Sequence, residues 1–247
     1  MELETAVSIV LPCYNEKENL EILLPEIISK IGERINDFEI LVVDDSSPDG
    51  TAEFVNKFGE VDPRVKLVLR EKKEGIGAAL RQGYDEANGK IIVSSDADLS
   101  FKVDDILRLI DRISEGFDLV VGSRHSKSSS YERKRIGTKI KGLVSTVGNF
   151  VIGFISGLGI RDFSANFRAI RGEVWKAISV QEKTNSILLE MIMKCHYSGF
   201  MVTEIPVSFS ERMHGESKLN LAVEAPKFLL KFILFTIKFR VLRRKNS

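Results

Sequence analysis

The chain has 247 residues, 43% hydrophobic and 29% charged, with a formal net charge of +1. This fits one large α/β domain, alone or with a small extension, and implies no charged partner until the charge is divided along the chain. The two cysteines, Cys13 and Cys195, exclude a disulfide framework and make a reducing cytoplasm the default. The start, Met1-Glu2-Leu3-Glu4-Thr5, has neither a basic nor an apolar stretch, so no signal peptide is expected.

In chain order, Val7–Leu11 is a β-branched run closed by Pro12 and reads as the first strand. Glu18–Ile31 places Leu20, Leu23, Leu24, Ile27 and Ile31 at helical spacing. Then follow strand Phe38–Val43, helix Ala52–Phe58, strand Val65–Leu69, helix Gly77–Ala87, strand Ile91–Ser95, helix Val103–Ser114 and strand Asp118–Gly122. Strands alternating with helices in short steps predict a mostly parallel sheet covered on both faces. Ser126–Arg135 is polar and reads as a loop. Gly142–Ile160 is the longest uncharged stretch, but its glycines make it a poor membrane span. Ile187–His196 reads as a helix, Val202–Phe209 as a strand and Glu211–Asn220 as a polar loop.

Polar clusters follow the strands directly: Tyr14–Glu16, Asp44–Asp49, Asp96–Asp98 and Ser123–Arg124. Ligands of parallel sheets collect at the carboxyl ends of the strands, so four clusters there predict a site. Asp96-Ala97-Asp98, read as extended, puts two carboxylates on one side, suited to Mg2+ or Mn2+ and the oxygens of a diphosphate. The plainer reading is a turn with an Asp cap. Asp44 and Asp45, adjacent acids with no base beside them in sequence, suit a ribose or base edge. Ser47–Thr51 reads as a Pro-Asp-Gly turn and helix cap. Tyr14 suits stacking on a nucleobase and Glu16 accepting from its edge, while Asn15 with Glu18 reads as a helix cap.

Pro12-x-Tyr14-Asn15-Glu16, Asp44-Asp45-x-Ser47-x-Asp49-Gly50-Thr51, Gly75-x-Gly77, Asp96-Ala97-Asp98-Leu99-Ser100, Gly122-Ser123-Arg124 and Arg212-x-x-Gly215-x-Ser217-Lys218-Leu219 are similar in order and spacing to family 2 glycosyltransferases, most of all the dolichol-phosphate mannosyltransferase branch. The resemblance covers roughly residues 6–220. It implies a GT-A fold, a Rossmann-like mostly parallel sheet, and transfer of a hexose from a nucleotide-sugar to dolichyl or another polyprenyl phosphate. By the same resemblance, Pro12, Tyr14, Glu16, Val43 and Asp45 bind the nucleoside. Asp96, Ala97 and Asp98 face the diphosphate and a divalent metal (Mg2+ or Mn2+), held by Asp96 and Asp98. Arg124, Arg212 and Lys218 bind phosphates, and with Asp98 form the catalytic set. Two departures stand out: many relatives carry Gln at the Ser100 position, and many read Thr-Ser-Gly-Phe-Arg where this chain has Ser164-Ala165-Asn166-Phe167-Arg168.

An anionic acceptor needs cations more than a base, and Arg124, Arg212 and Lys218, with Arg133 and Arg135, are the candidates. A hydroxyl acceptor needs a base, for which Glu190 is the spare carboxylate. A non-catalytic nucleotide-sugar-binding module is the remaining reading. GDP-mannose is the favoured donor and UDP-glucose the next. From Lys227 to Ser247 there are seven Lys or Arg and no acid, which leaves 29 bases against 35 acids before it. Pro226 suits the first turn of a helix, with Lys227, Lys231 and Lys238 in a stripe and Phe228, Leu229, Phe232, Ile233, Phe235 and Phe239 opposite. Residues 1–220 are therefore read as the catalytic domain. Residues 221–247 are read as an amphipathic helix lying on the cytoplasmic face of a membrane, or docked on the body or on a membrane-embedded partner subunit. Nucleic acid is not expected as a partner, since no groove of stacking aromatics interleaved with Arg is evident.

Overall fold

In a computed structural model, residues 6–125, 129, 149, 152–153, 156–210 and 221–245 are described, with side chains given only for 226–239 in the last segment. Arg133, Arg135, Arg212, His214 and Lys218, and most of Gly142–Ile160, lie outside the described residues.

Seven strands form one sheet: β1 (Val7–Cys13), β2 (Phe38–Asp44), β3 (Val65–Leu69), β4 (Ile91–Ser94), β5 (Leu119–Ser123), β6 (Arg168–Arg171) and β7 (Val202–Pro206), in the order β3-β2-β1-β4-β6-β5-β7. All neighbours are parallel except β6, which runs antiparallel to β4 and β5. The helices are α1 (Lys17–Gly32), α2 (Thr51–Val61), α3 (Ile76–Glu86), α4 (Val103–Ser114), α5 (Gly172–Ile178), α6 (Ile187–Tyr197) and α7 (Leu221–Lys245).

The strand period of two sorts the core. On β1, Val7, Ile9 and Leu11 join Leu20, Leu24 and Ile27 of α1 and Ile106, Leu109 and Ile113 of α4 in one cluster. Val10 points the other way, to Leu80 and Tyr84 of α3, Leu189 and Ile192 of α6 and Phe232 of α7. Both faces of β1 and β2 are buried, which is why their centres, Ile9–Leu11 and Ile40–Val43, are continuous apolar runs.

β6 and α5 have no counterpart in the sequence reading. Arg168 and Arg171 flank a two-residue apolar pair, and arginine is read as exposed. Arg168 is instead fully buried, satisfied by the carbonyls of Ala165 and of Leu188 (2.8 Å). Burial outweighs the favourable charges of Tyr84 and Asp162 and brings its guanidinium down to about 10. Because β6 is antiparallel, it starts at the edge where β4 and β5 end, pairing Arg168 with Ser94 and Val121. The segment before it, 162–167, is thereby delivered to the carboxyl edge of the sheet.

The C-terminal helix also differs from expectation. Pro226 lies inside α7, not in its first turn. Phe232, Phe235 and Phe239 are buried against the body, where Phe239 meets Tyr197, and Lys231 pairs with Glu182. Leu229, Leu230, Ile233, Leu234 and Ile237 are 40–59% exposed. At about 100° per residue the three phenylalanines span about 60° of arc and the five aliphatic residues about 140° of the opposite side. The phenylalanines expected on the lipid-facing arc thus face the core, and a second apolar face is presented outward. Among the described residues no helix is long and apolar enough to cross a membrane.

Candidate active site

The turns after β1 and β2 build one wall. Asn15 and Ser46 both take left-handed backbone (φ 60° and 56°), the conformation Asn tolerates best among larger residues. The Asn15 amide donates to Ser47 Oγ (2.8 Å), that of Glu16 to Thr51 Oγ1 (3.3 Å) and that of Lys17 to Asp49 Oδ2 (3.2 Å). The turn after β2 therefore caps α1 from outside. Glu16, not Asn15, occupies the α1 cap position, and neither side chain caps the helix. Asp44 is fully buried and accepts from the Ser47 amide (3.1 Å) and hydroxyl, so it holds the turn. The turn reading of Ser47–Thr51 agrees with these contacts; at α2 the cap position is Gly50 in left-handed backbone with no side-chain cap bond, and Asp49 Oδ1 accepts from the Thr51 amide (3.1 Å).

Asp45 does have a basic neighbour, contrary to the sequence reading. Arg70, just past β3, pairs with Asp45 Oδ1 and also donates to Gln82 Oε1 (3.1 Å) and Glu74 Oε2 (2.7 Å). The Gly75 amide donates to Asp45 Oδ2 (3.2 Å). The ammonium of Lys73 sits 3.5 Å from the centroid of the Tyr14 ring. Residues 73–75 thus lie against Tyr14 and Asp45, while Pro12 pairs with Val43 across β1 and β2 and the Val43 side chain is fully buried in the core. Gly77 lets α3 start there: a Cβ at this position would lie 2.1 Å from the carbonyl oxygen of Thr184.

The Asp96–Asp98 segment is not extended. β4 stops at Ser94, residues 97–99 bend, and Leu99 has φ 60°. Alternation along a strand therefore does not align the two acids; hydrogen bonds hold them. Asp98 Oδ1 accepts from the Ser100 amide (3.1 Å), and Asp96 Oδ1 accepts from the side-chain amide of Asn166 (3.0 Å). A left-handed leucine costs about 1–3 kcal/mol, strain of a kind that collects at functional sites. Two buried oxygens in this cluster, Ser100 Oγ and Asn166 Oδ1, have no hydrogen-bond partner among the described residues. Among the described residues no group of three His, Cys, Asp or Glu side chains is arranged to hold a metal ion by itself. The donor set of two carboxylates with neutral oxygens nearby fits a hard divalent cation that completes its shell with ligand oxygens and water.

Arg124 is not a bare cation. Its Nε donates to Asp162 Oδ2 (2.7 Å), its Nη2 to Asp162 Oδ1 (3.0 Å) and Ser164 Oγ (3.0 Å), and its backbone amide to Asp162 Oδ2 (3.1 Å). Asp162, absent from the sequence reading, is fully buried and also accepts from the amides of Ser164 and Ala165. Burial would raise this carboxyl; the charge of Arg124 and its hydrogen bonds outweigh that and hold it at about 2. The guanidinium lies over the Phe209 ring (5.4 Å), and Phe209 and Phe167 both pack on Phe101, with centroids 5.0 and 4.4 Å away. Gly122 has no side chain because Phe167 Cδ1 would lie 2.4 Å from its Cβ. The aromatic floor ties the Asp98 loop, the 162–167 segment and the approach to residues 211–220 together.

Glu190 is not a spare base. One oxygen accepts from the amides of Gln181 (3.1 Å) and Glu182 (2.7 Å), and the other pairs with Lys194 (2.9 Å). Cys13 and Cys195 are free, buried thiols, both raised by burial, Cys195 to about 12.

The sequence model of glycosyl transferase family 2 matches residues 8–178. The chain is 37% identical over 219 residues to a dolichol-phosphate mannosyltransferase of Pyrococcus furiosus, covering 87% of this chain and 59% of that protein. It is 33% identical over 222 residues to a polyprenol monophosphomannose synthase of Mycolicibacterium smegmatis, covering 86% and 80%. Among solved structures, the glucosyl-3-phosphoglycerate synthase of Mycobacterium tuberculosis, with Mn2+, UDP and phosphoglyceric acid, superposes with a TM-score of 0.68 at 18% identity, over 96% of this chain and 78% of that one. A mannosyltransferase of Pyrobaculum calidifontis, with GDP-Man and Mn2+, gives 0.64 at 19% identity, over 96% and 65%. The likeness to these two solved structures is one of fold.

Proposed function

The chain belongs to glycosyl transferase family 2, and on that premise we propose that it transfers a hexose, mannose from GDP-mannose, to dolichyl or another polyprenyl phosphate with inversion at C1. The names of the two relatives support the acceptor and the sugar. The observation that carries the reading is that the turns holding Tyr14, Asp45 and Asp96–Asp98 follow β1, β2 and β4 at one sheet edge, with the strand order reversing between β1 and β4.

In this reading Tyr14 stacks on the base, Glu16 and Asp45 accept from the nucleoside, and Pro12 and Val43 adjoin it. Asp96 and Asp98 hold Mg2+ or Mn2+, with Ala97 against the diphosphate. Held there, such a cation would supply positive charge against the leaving nucleoside diphosphate. Arg124, aimed by Asp162, faces the acceptor phosphate, joined by Arg135, Arg212 and Lys218 from outside the described residues. A phosphate acceptor is already an anion and needs no base, which agrees with a Glu190 whose oxygens are engaged. The outward apolar stripe of α7, bordered by Lys227 and Lys238, rests at the lipid interface and keeps the enzyme peripheral, on the cytoplasmic face where nucleotide-sugars are found.

The test is GDP release from GDP-mannose with polyprenyl phosphate supplied or withheld. Release is expected only with the lipid phosphate and Mg2+ or Mn2+, to stop on EDTA, and to fall about 100-fold or more in Asp98→Ala. Full activity in Asp98→Ala would remove the cation role assigned to it.

A further inference from the structure

Asn166 is part of no assigned site, yet it sits against the cluster that matters most. It is 4% exposed and donates its amide to Asp96 Oδ1 at 3.0 Å. The partner fixes which way the amide faces, since turning it over would set a carbonyl oxygen against a carboxylate oxygen. Its Oδ1 is then the atom left buried with no partner. A buried acceptor without a donor is disfavoured, and native structures keep one where a ligand completes it. Ser100 Oγ, on the Asp98 side of the cluster, is left in the same state.

The segment carrying Asn166 is fixed on both sides. The amide of Ala165 is held by Asp162 (3.1 Å), its carbonyl by Arg168 Nε (3.1 Å), and Phe167 stacks on Phe101. The Asn166 side chain therefore starts from a rigid backbone, as a group that orients another group must.

We propose that Asn166 is a positioning residue of the donor site: its amide orients Asp96 for the divalent cation, and its carbonyl oxygen accepts a hydrogen bond from an O–H of the bound donor complex. That O–H comes from the sugar or from water on the cation. The inference rests on the nucleotide-sugar reading above.

The experiment uses the full chain and Asn166→Leu, which keeps the branched shape and removes both polar functions, beside Asn166→Gly, which adds no bulk. GDP binding is titrated calorimetrically across a series of Mn2+ concentrations, and KM and kcat are measured for GDP-mannose. The Mn2+ concentration giving half-maximal GDP binding is expected to rise about tenfold in both variants, with the thermal midpoint of at least one unchanged. A KM for GDP-mannose that rises further than the GDP affinity falls assigns the O–H to the sugar; parallel changes assign it to water on the cation. Mn2+ dependence and KM both within about twofold of wild type would overturn the proposal and leave the donor reading standing. A wild-type chain that binds no GDP with Mn2+ overturns the donor reading, and this one with it.

Discussion

Arg124 was legible as a cation after a strand, but Asp162, thirty-eight positions away, decides how it behaves. A sequence shows charges; it does not show which distant acid a guanidinium will meet. Asp162→Asn should lower stability by about 3 kcal/mol in urea unfolding, because Arg124 would be left without its counter-charge. The pH dependence follows from the depressed carboxyl. Its folded-state value of about 2 lies below the ordinary 3.8, so its contribution is complete above about pH 4 and is lost as pH falls toward 2. The stability difference between wild type and Asp162→Asn should shrink over that window, as followed by the urea midpoint. A difference that stays constant down to pH 2.5 would contradict the assignment. Asp45 teaches the same lesson: its neighbour Asp44 was visible, and its partner Arg70 arrives only when β3 is laid beside β2.

The long amphipathic elements were the most legible. The apolar periods of α1 and α4 and the apolar centres of β1 and β2 predict the buried faces the structure shows. β6 was not legible, because its burial depends on a guanidinium satisfied by carbonyls from Ala165 and from Leu188, twenty residues on. Nor was the bend at 97–99, whose left-handed Leu99 no propensity favours. The tail was half legible. Its apolar and basic character is plain, but a helix apolar on two faces does not reveal from sequence which face docks. The two faces make separable predictions. Phe232→Ala should destabilise the fold by about 3–5 kcal/mol in thermal or urea unfolding. Leu230→Glu with Leu234→Glu should leave the thermal midpoint unchanged and abolish sedimentation with anionic vesicles. Undiminished sedimentation would move the membrane contact elsewhere in the chain.

Over the whole molecule, the topology explains how short motifs spread from residue 12 to residue 166 reach one edge of the sheet. Parallel strands bring the ends of β1, β2, β4 and β5 to one edge, and the single antiparallel strand brings the 162–167 segment to meet them. The basic terminal segment, carried by an acidic body, suits contact with an anionic membrane surface. The most direct measurement is the mass of the lipid product after incubating the chain with polyprenyl phosphate, Mg2+ or Mn2+ and, separately, GDP-mannose or UDP-glucose. The account predicts a polyprenyl phosphate heavier by one hexose, formed from GDP-mannose. Hexose transferred to an alcohol, or donor bound with no lipid product from either nucleotide-sugar, would contradict it.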